Sequence, residues 1–179
     1  CDLITHFDAE KFKTRFACEV KNFDPKDHFD RKILRKLDRY AQYALVATDE
    51  AITDSGIDLE KVDKDRIGVI YGSGIGGIET FLKEAMDFSK GDGTPRFSPF
   101  FIPKMISDIA AGHISIIYGF RGPNFGTVSA CATSTNALLD AYNYIRLGKA
   151  DIFVSGGSEA SVNPAGVGGF NSMQDISTN

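Results

Sequence analysis

Cys131 lies within the segment Gly122–Leu147, which reads as a strand, the cysteine, and then a helix. A thiol at such a junction can act as a nucleophile. The backbone N–H groups at a helix start have no partner within the helix, and the helix dipole is positive there. Both favour the thiolate, the reactive form of cysteine. Ala130 and Ala132 flank it and are small enough for a tight turn with open approach. Thr133, Ser134 and Thr135 follow, and their hydroxyls are candidates to cap the first helical turn. The same strand–nucleophile–helix order serves other covalent catalysts. The competing reading is a small buried hydrophobe, the commonest fate of a free cysteine. Spacing alone leaves both open.

The other chemistry-bearing residues are fewer. A catalytic cysteine is commonly served by histidine, and the histidines are His6, His28 and His113. His113 falls on an apolar stripe between Ile106 and Ile117, which favours a core histidine, and the other two lie in polar segments. The turn Gly72-Ser73-Gly74-Ile75-Gly76-Gly77 matches G-x-G-x-x-G between a strand and a helix. A dinucleotide site would need a second strand about 20 residues on, ending in an acidic residue. That stretch is instead a helix and the loop Ser89–Pro99, so close approach of another backbone explains the glycines better. Basic residues crowd Arg31, Lys32, Arg35, Lys36 and Arg39. Cations at a helix start oppose its dipole, so an acidic partner is the reading that explains them.

Elements at these points follow from hydrophobic periodicity. Leu37, Tyr40, Ala41, Ala44, Leu45, Thr48, Ala51 and Ile52 predict a helix closed by Ser55-Gly56. Arg66–Tyr71 predicts a buried strand, and Ile78 to Met86 a helix. Ile106, Ile109, Ala110, Ile114 and Ile117 predict a further helix ending near Gly119. Asn124–Ser129 predicts the strand feeding Cys131, and Ala137, Leu138, Ala141 and Ile145 the inner face of the next helix, with Gly148 at its end. Asp151–Ser155 predicts another buried strand. The segment 1–29 predicts loops and short strands, and the Gly-, Ser- and Asn-rich segment 161–179 predicts no defined element. Strands alternating with helices imply an α/β domain. The chain has 179 residues and a net charge of −4, which argues against a nucleic-acid partner. No apolar run approaches membrane-span length. Three cysteines without a C-x-x-C pair fit a reducing cytoplasm and argue against a zinc site. No metal or cofactor is expected.

The segments RIGVIYGSGIGG, SPFFIPKMISDIAAGHISIIYGFRGPN, TVSACATSTNAL, GKADIFVSGGSEA and PAGVGGF together resemble the N-terminal half of the β-ketoacyl-acyl carrier protein synthases of the elongating type. The resemblance spans almost the whole chain in family order. It implies a thiolase-like layered α/β fold, here incomplete: a single partial domain over 1–179, lacking the family's first strand and helix and its C-terminal half. It also implies an acyltransferase of fatty-acid elongation. Cys131 would take an acyl chain from acyl carrier protein as a thioester, with its own backbone amide in the oxyanion hole. Malonyl-carrier protein would then be decarboxylated, and the carbanion would attack that thioester. Ile75, Gly166 and Phe170 would line the acyl pocket, with Phe101 reaching in across a homodimer interface where the strand before Cys131 pairs with its twin. Lys32, Arg35, Lys36 and Arg96 would dock the acidic carrier protein. The family's catalytic histidines, lysine and second oxyanion donor belong to the C-terminal half, so these 179 residues alone are expected to be inactive and to bare an apolar face where that half would dock. The alternatives are a polyketide or aryl-polyene ketosynthase, or a non-catalytic chain-length partner subunit. Such subunits typically lack the cysteine that this chain keeps.

Overall fold

A computed structural model describes residues 1–174 and 176–178. The core is a parallel three-stranded sheet in the order β4 (Asn124–Phe125), β3 (Ile67–Gly72), β5 (Ile152–Gly157). β3 pairs with β5 over its full length, from Ile67↔Ile152 to Gly72↔Gly157. Every residue of β3 is buried, as befits a central parallel strand covered on both faces. The two-residue side-chain period divides it between two cores. Ile67, Val69 and Tyr71 pack with the helices α2 (Arg39–Ser55) and α5 (Ile109–Tyr118). Ile70 faces the other way, onto Ala137 and Ala141 of α6 (Thr133–Arg146). Gly68 shares that second face, and a Cβ there would fall 2.2 Å from the Phe153 ring. The result is helices, sheet and helix in layers.

α2 starts where its pattern places it. Asp38 caps it, accepting the Tyr40 N–H, and also accepts the Thr80 N–H at 2.9 Å and the Thr80 hydroxyl at 2.6 Å. One buried carboxylate thus joins the start of α2 to the first turn of α3 (Ile78–Lys90). Gly56, at φ +65°, ends α2 in the left-handed conformation that glycine adopts most readily. A two-stranded antiparallel pair, β1 (Asp2–Leu3) and β2 (Phe16–Ala17), and a single-turn helix, α1 (Arg31–Leu34), precede this core.

Several boundaries differ from the sequence expectation. The strand expected over 124–129 is laddered only at Asn124 and Phe125. Beyond them the chain leaves β3: Gly126 passes against Asp108, and the Thr127 carbonyl sits over Gly72. The helix expected from Ile106 begins at Ile109, because Ile106 is extended at the end of a short helix, α4 (Phe101–Met105), and its carbonyl accepts the Tyr40 hydroxyl. Ile117 points outward, while Ala110, Ala111 and Ile114 form the buried stripe. On α6, Ala137 and Ala141 are buried, but Leu138 and Ile145 are 56% and 45% exposed. They form an outer apolar face with Leu139 and Tyr142, while Thr133, Ala137 and Ala141 turn inward, with Tyr144 packed at the edge of the Ile70 cluster. A helix not anticipated from the sequence, α7 (Pro164–Met173), completes the described chain. Among the described residues no helix is long and apolar enough to cross a membrane.

Candidate active site

The carboxyl ends of β3 and β5 open into a cleft of about 600 Å³, the position where open parallel sheets commonly bind ligands. Gly72 to Ile75 form one wall, and Gly157 to Glu159 another. Ala165, Gly166, Gly169, Phe170 and Met173 of α7 form a third. Cys131 lies in the lining and is exposed to it. Its place comes from a tight turn, a 3-10 segment at Ala130–Ala132 that runs directly into α6. Ala130 takes φ +50°, a left-handed conformation that costs a non-glycine residue about 1 kcal/mol or more. Small side chains before and after the cysteine make that turn possible.

The hydroxyls of the first helical turn do not cap it. Thr133 Oγ1 instead accepts the Ser129 N–H at 2.9 Å, upstream of the nucleophile, and no side chain caps α6. Asn136 Nδ2 donates to Ser129 Oγ at 2.7 Å, which further fixes the approach to the turn. The 3-10 turn takes up the Ala132 and Thr133 N–H groups, on the Ser129 and Ala130 carbonyls, and the start of α6 otherwise adjoins the cleft without a side-chain cap.

Gly72 and Gly157 are small because the site is crowded behind them. A Cβ on Gly72 would lie 2.3 Å from Thr133 Cγ2, and one on Gly157 would lie 3.1 Å from Ser134 Oγ. Gly76 and Gly77 serve close backbone passage. A Cβ on Gly77 would lie 2.2 Å from the Lys104 carbonyl, and the Gly77 N–H donates to the Met105 carbonyl at 2.9 Å. The loop leading into α3 therefore packs on α4, where the G-x-G-x-x-G pattern alone suggests a phosphate.

Of the residues expected in the acyl pocket, Ile75, Gly166 and Phe170 line the cleft with Cys131. Gly166 is required where it stands, since its Cβ would fall 2.1 Å from the Ser161 carbonyl. Asn163 caps α7 by accepting the Gly166 N–H at 2.9 Å. Phe101 lies elsewhere, in a ladder of rings. Its centroid is 5.4 Å from that of Phe97 and 6.4 Å from that of Phe81. Lys32, Arg35 and Lys36 are exposed on and just after α1, while Arg96 lies on the loop between α3 and α4, paired with Asp92 at 3.2 Å. His113 is half-buried on α5, and burial pushes its pKa down, aided by the positive charge of Lys36. It is not in the cleft lining. Burial first, and then the charges of Asp38, Asp108 and Glu159, raise the Tyr40 phenol above its ordinary value.

Glu159 and Ser73 are cleft residues that the sequence did not single out. The available signal was position: Ser73 follows the buried central strand β3 and Glu159 lies two residues beyond the half-buried edge strand β5, each past the carboxyl end of a parallel strand.

The comparisons with known proteins agree with this geometry. Residues 3–179 match the sequence model of the β-ketoacyl synthase N-terminal domain. A 3-oxoacyl-[acyl-carrier-protein] synthase 2 from Staphylococcus aureus is 45% identical over 181 residues, covering 99% of this chain and 44% of its own length. The protein of the same name from Synechocystis sp. is 39% identical, covering 97% of this chain and 42% of that one. A β-ketoacyl synthase crystal structure from Burkholderia phymatum superposes with a TM-score of 0.80 at 28% identity, covering 94% of this chain and 41% of its own. The ishigamide ketosynthase/chain length factor shares the fold, with a TM-score of 0.84 at 23% identity over 99% of this chain and 44% of its own. The α/β layering is thus that of the thiolase-like ketosynthases, and the chain spans a little under half the length of the curated relatives it matches. A cysteine at the start of α6, a cleft at the carboxyl edge of a parallel sheet and a family match over nearly every residue place this chain in the β-ketoacyl synthase family.

Proposed function

We propose that the whole protein is a 3-oxoacyl-[acyl carrier protein] synthase of fatty-acid elongation, working in the cytoplasm as a homodimer, with Cys131 as its nucleophile. The observation that carries this reading is the exposure of Cys131, at the start of α6, to an apolar-walled cleft that also holds Ile75, Gly166 and Phe170. The sulfur attacks the thioester carbonyl of an acyl chain on acyl carrier protein, and the electron pair of the breaking C–S bond leaves with the carrier thiol. The acyl group is then a thioester on Cys131, and its alkyl chain lies along the cleft. The Cys131 backbone N–H, at the uncapped end of α6, donates to the oxyanion that forms at the carbonyl. Malonyl-carrier protein loses carbon dioxide, and its carbanion attacks the Cys131 thioester. The C–S bond breaks to return the thiolate, and the product is a 3-oxoacyl chain two carbons longer. Dividing the transfer this way replaces one hard step by two easier ones.

In this reading the second oxyanion donor and the groups serving malonyl decarboxylation come from the part of such synthases that this chain, matching 44% and 42% of the curated relatives, does not cover. Phe101 enters the partner subunit's pocket, and Lys32, Arg35, Lys36 and Arg96 meet the acidic carrier protein. Support comes from the names of the curated relatives, 3-oxoacyl-[acyl-carrier-protein] synthase 2. The test is Cys131→Ala in the whole protein, offered radiolabelled acyl carrier protein. The unsubstituted protein becomes labelled and the variant does not. Label retained by the variant would mean a different nucleophile and would end this assignment.

A further inference from the structure

We propose that Glu159 is a positioning residue that sets acyl-chain selectivity by holding Ile75 against the cleft. The inference rests on the reading of the cleft as an acyl pocket, and deepens it. Glu159 stands two residues beyond β5, whose register with β3 runs out to Gly72↔Gly157 and is continued by the Ser158 N–H on the Gly72 carbonyl at 3.2 Å. The carboxylate is therefore referenced to the sheet itself. Its Oε2 accepts the Ile75 N–H at 2.9 Å, and its Oε1 accepts the Ser73 hydroxyl at 3.2 Å. Ser73 Oγ in turn accepts the Gly76 N–H at 2.9 Å. One side chain thus spans the turn from residue 73 to 76, directly or through the buried Ser73.

The fit is close. A Cβ on Gly74 would come within 3.1 Å of Glu159 Oε2 and 3.3 Å of the Ala130 carbonyl, so the turn is held between the carboxylate and the residue before the nucleophile. Ile75 cannot be kept in place by packing alone, because 45% of it remains exposed. What fixes it relative to Cys131 is its backbone, and Glu159 holds that backbone. A shift of such a wall changes discrimination, since one methylene in an apolar pocket alters rates by about tenfold or more.

The test uses the whole protein as Glu159→Ala and Glu159→Gln. Glutamine keeps an oxygen for the Ile75 N–H, and its NH2 can donate to the Ser73 hydroxyl, so it is the conservative rescue. Two quantities are read: hydrogen exchange at the Ile75 amide, and the ratio of kcat/KM for long against short acyl chains loaded from acyl carrier protein. Glu159→Ala should speed the exchange by about tenfold or more and change the ratio by about fivefold or more, while Glu159→Gln stays within about twofold of the parent in both. Unchanged exchange, an equal loss at all chain lengths, or a glutamine variant as defective as alanine overturns the proposal. Should Glu159→Ala not fold, Ser73→Ala removes the Ser73–Glu159 bond and the Gly76 N–H bond but leaves the Ile75 N–H on Glu159, and should move both readouts in the same direction by less; no movement overturns it. If the unsubstituted protein carries no acyl group on Cys131, the acyl-pocket reading fails and takes the selectivity claim with it, while the exchange measurement still decides whether Glu159 holds the turn.

Discussion

Glycines shape this site as much as its nucleophile does. Gly77 illustrates the constraint: its Cβ would meet the Lys104 carbonyl at 2.2 Å and Met105 Cα at 2.8 Å, both parts of backbone that cannot swing aside. Gly91, at the end of α3, has only ordinary contacts, the nearest at 3.4 Å, and a φ of −82°. Gly77→Ala should therefore destabilise the fold by about 2 kcal/mol or more, from overpacking against α4. Gly91→Ala should leave stability within about 0.5 kcal/mol of the parent. Denaturant unfolding of the two variants measures the difference, and equal losses would contradict the close passage of the loop over α4. Ala130 makes the complementary point, since a tight turn that aims a sulfur into a cleft needs a small residue willing to take a positive φ.

At the scale of elements, the segments following β1 and β2 are joined through Glu19. Its side chain is sealed from solvent. Burial alone would raise its pKa, but hydrogen bonds from Lys21, at 2.6 Å, from the Thr5 N–H and hydroxyl, and from the His6 N–H outweigh burial and bring it down from 4.5 to about 2. The folded chain thus keeps this charge down to about pH 2, whereas the unfolded chain takes up the proton near pH 4.5. The stability Glu19 contributes is complete above pH 4.5 and disappears as pH falls toward 2. Glu19→Gln should lower Tm at neutral pH and flatten its decline between pH 4.5 and 2, as thermal melts across that window would show. Parallel Tm curves would refute the linkage. The elements most legible in the sequence are those with one strong period, such as α2, whose apolar pattern runs from Tyr40 to Ile52 after Leu37 just ahead of its cap, and the buried strand β3. α7 escaped notice because PAGVGGFNSM carries three glycines and no apolar stripe, although Asn163 followed by Pro164 is a helix-start signal. Cys131, Ile75, Gly166 and Phe170 were legible as a site only through family resemblance, because residues so far apart in the chain share no local pattern. Glu159 was legible only as a residue just past a strand end, since its bonds to Ser73 and Ile75 depend on a register between strands.

The whole molecule carries net negative charge, yet its basic residues are unevenly placed. Lys32, Arg35 and Lys36 project from α1 and its end, where Asp30 supplies the cap by accepting the Lys32 and Ile33 N–H groups. The local helix does not use these cations, so they are available to an acidic partner. Reversing charge with Lys32→Glu and Arg35→Glu in the whole protein should weaken acyl carrier protein binding by about tenfold or more at low salt. Reaction with a small acyl thioester lacking the carrier should be little changed. Equal loss with both substrates would indicate damage to the fold and not to a docking face. The outer face of α6, with Leu138, Leu139, Tyr142 and Ile145 exposed, is a second surface with more apolar area than a solvated helix requires, and it suits a buried inner layer of a larger assembly.

The division of β3 between two cores has a further consequence. Alternate residues of one strand seal the α2–α5 side and the α6 side, so neither hydrophobic cluster can come apart while the other persists. A slip by a single position would exchange their contents, setting Gly68 and Ile70 among the partners of Val69 and leaving Phe153 without the hollow it fills. The nucleophile's helix and the far side of the domain therefore melt together, and damage to either is felt at the sulfur.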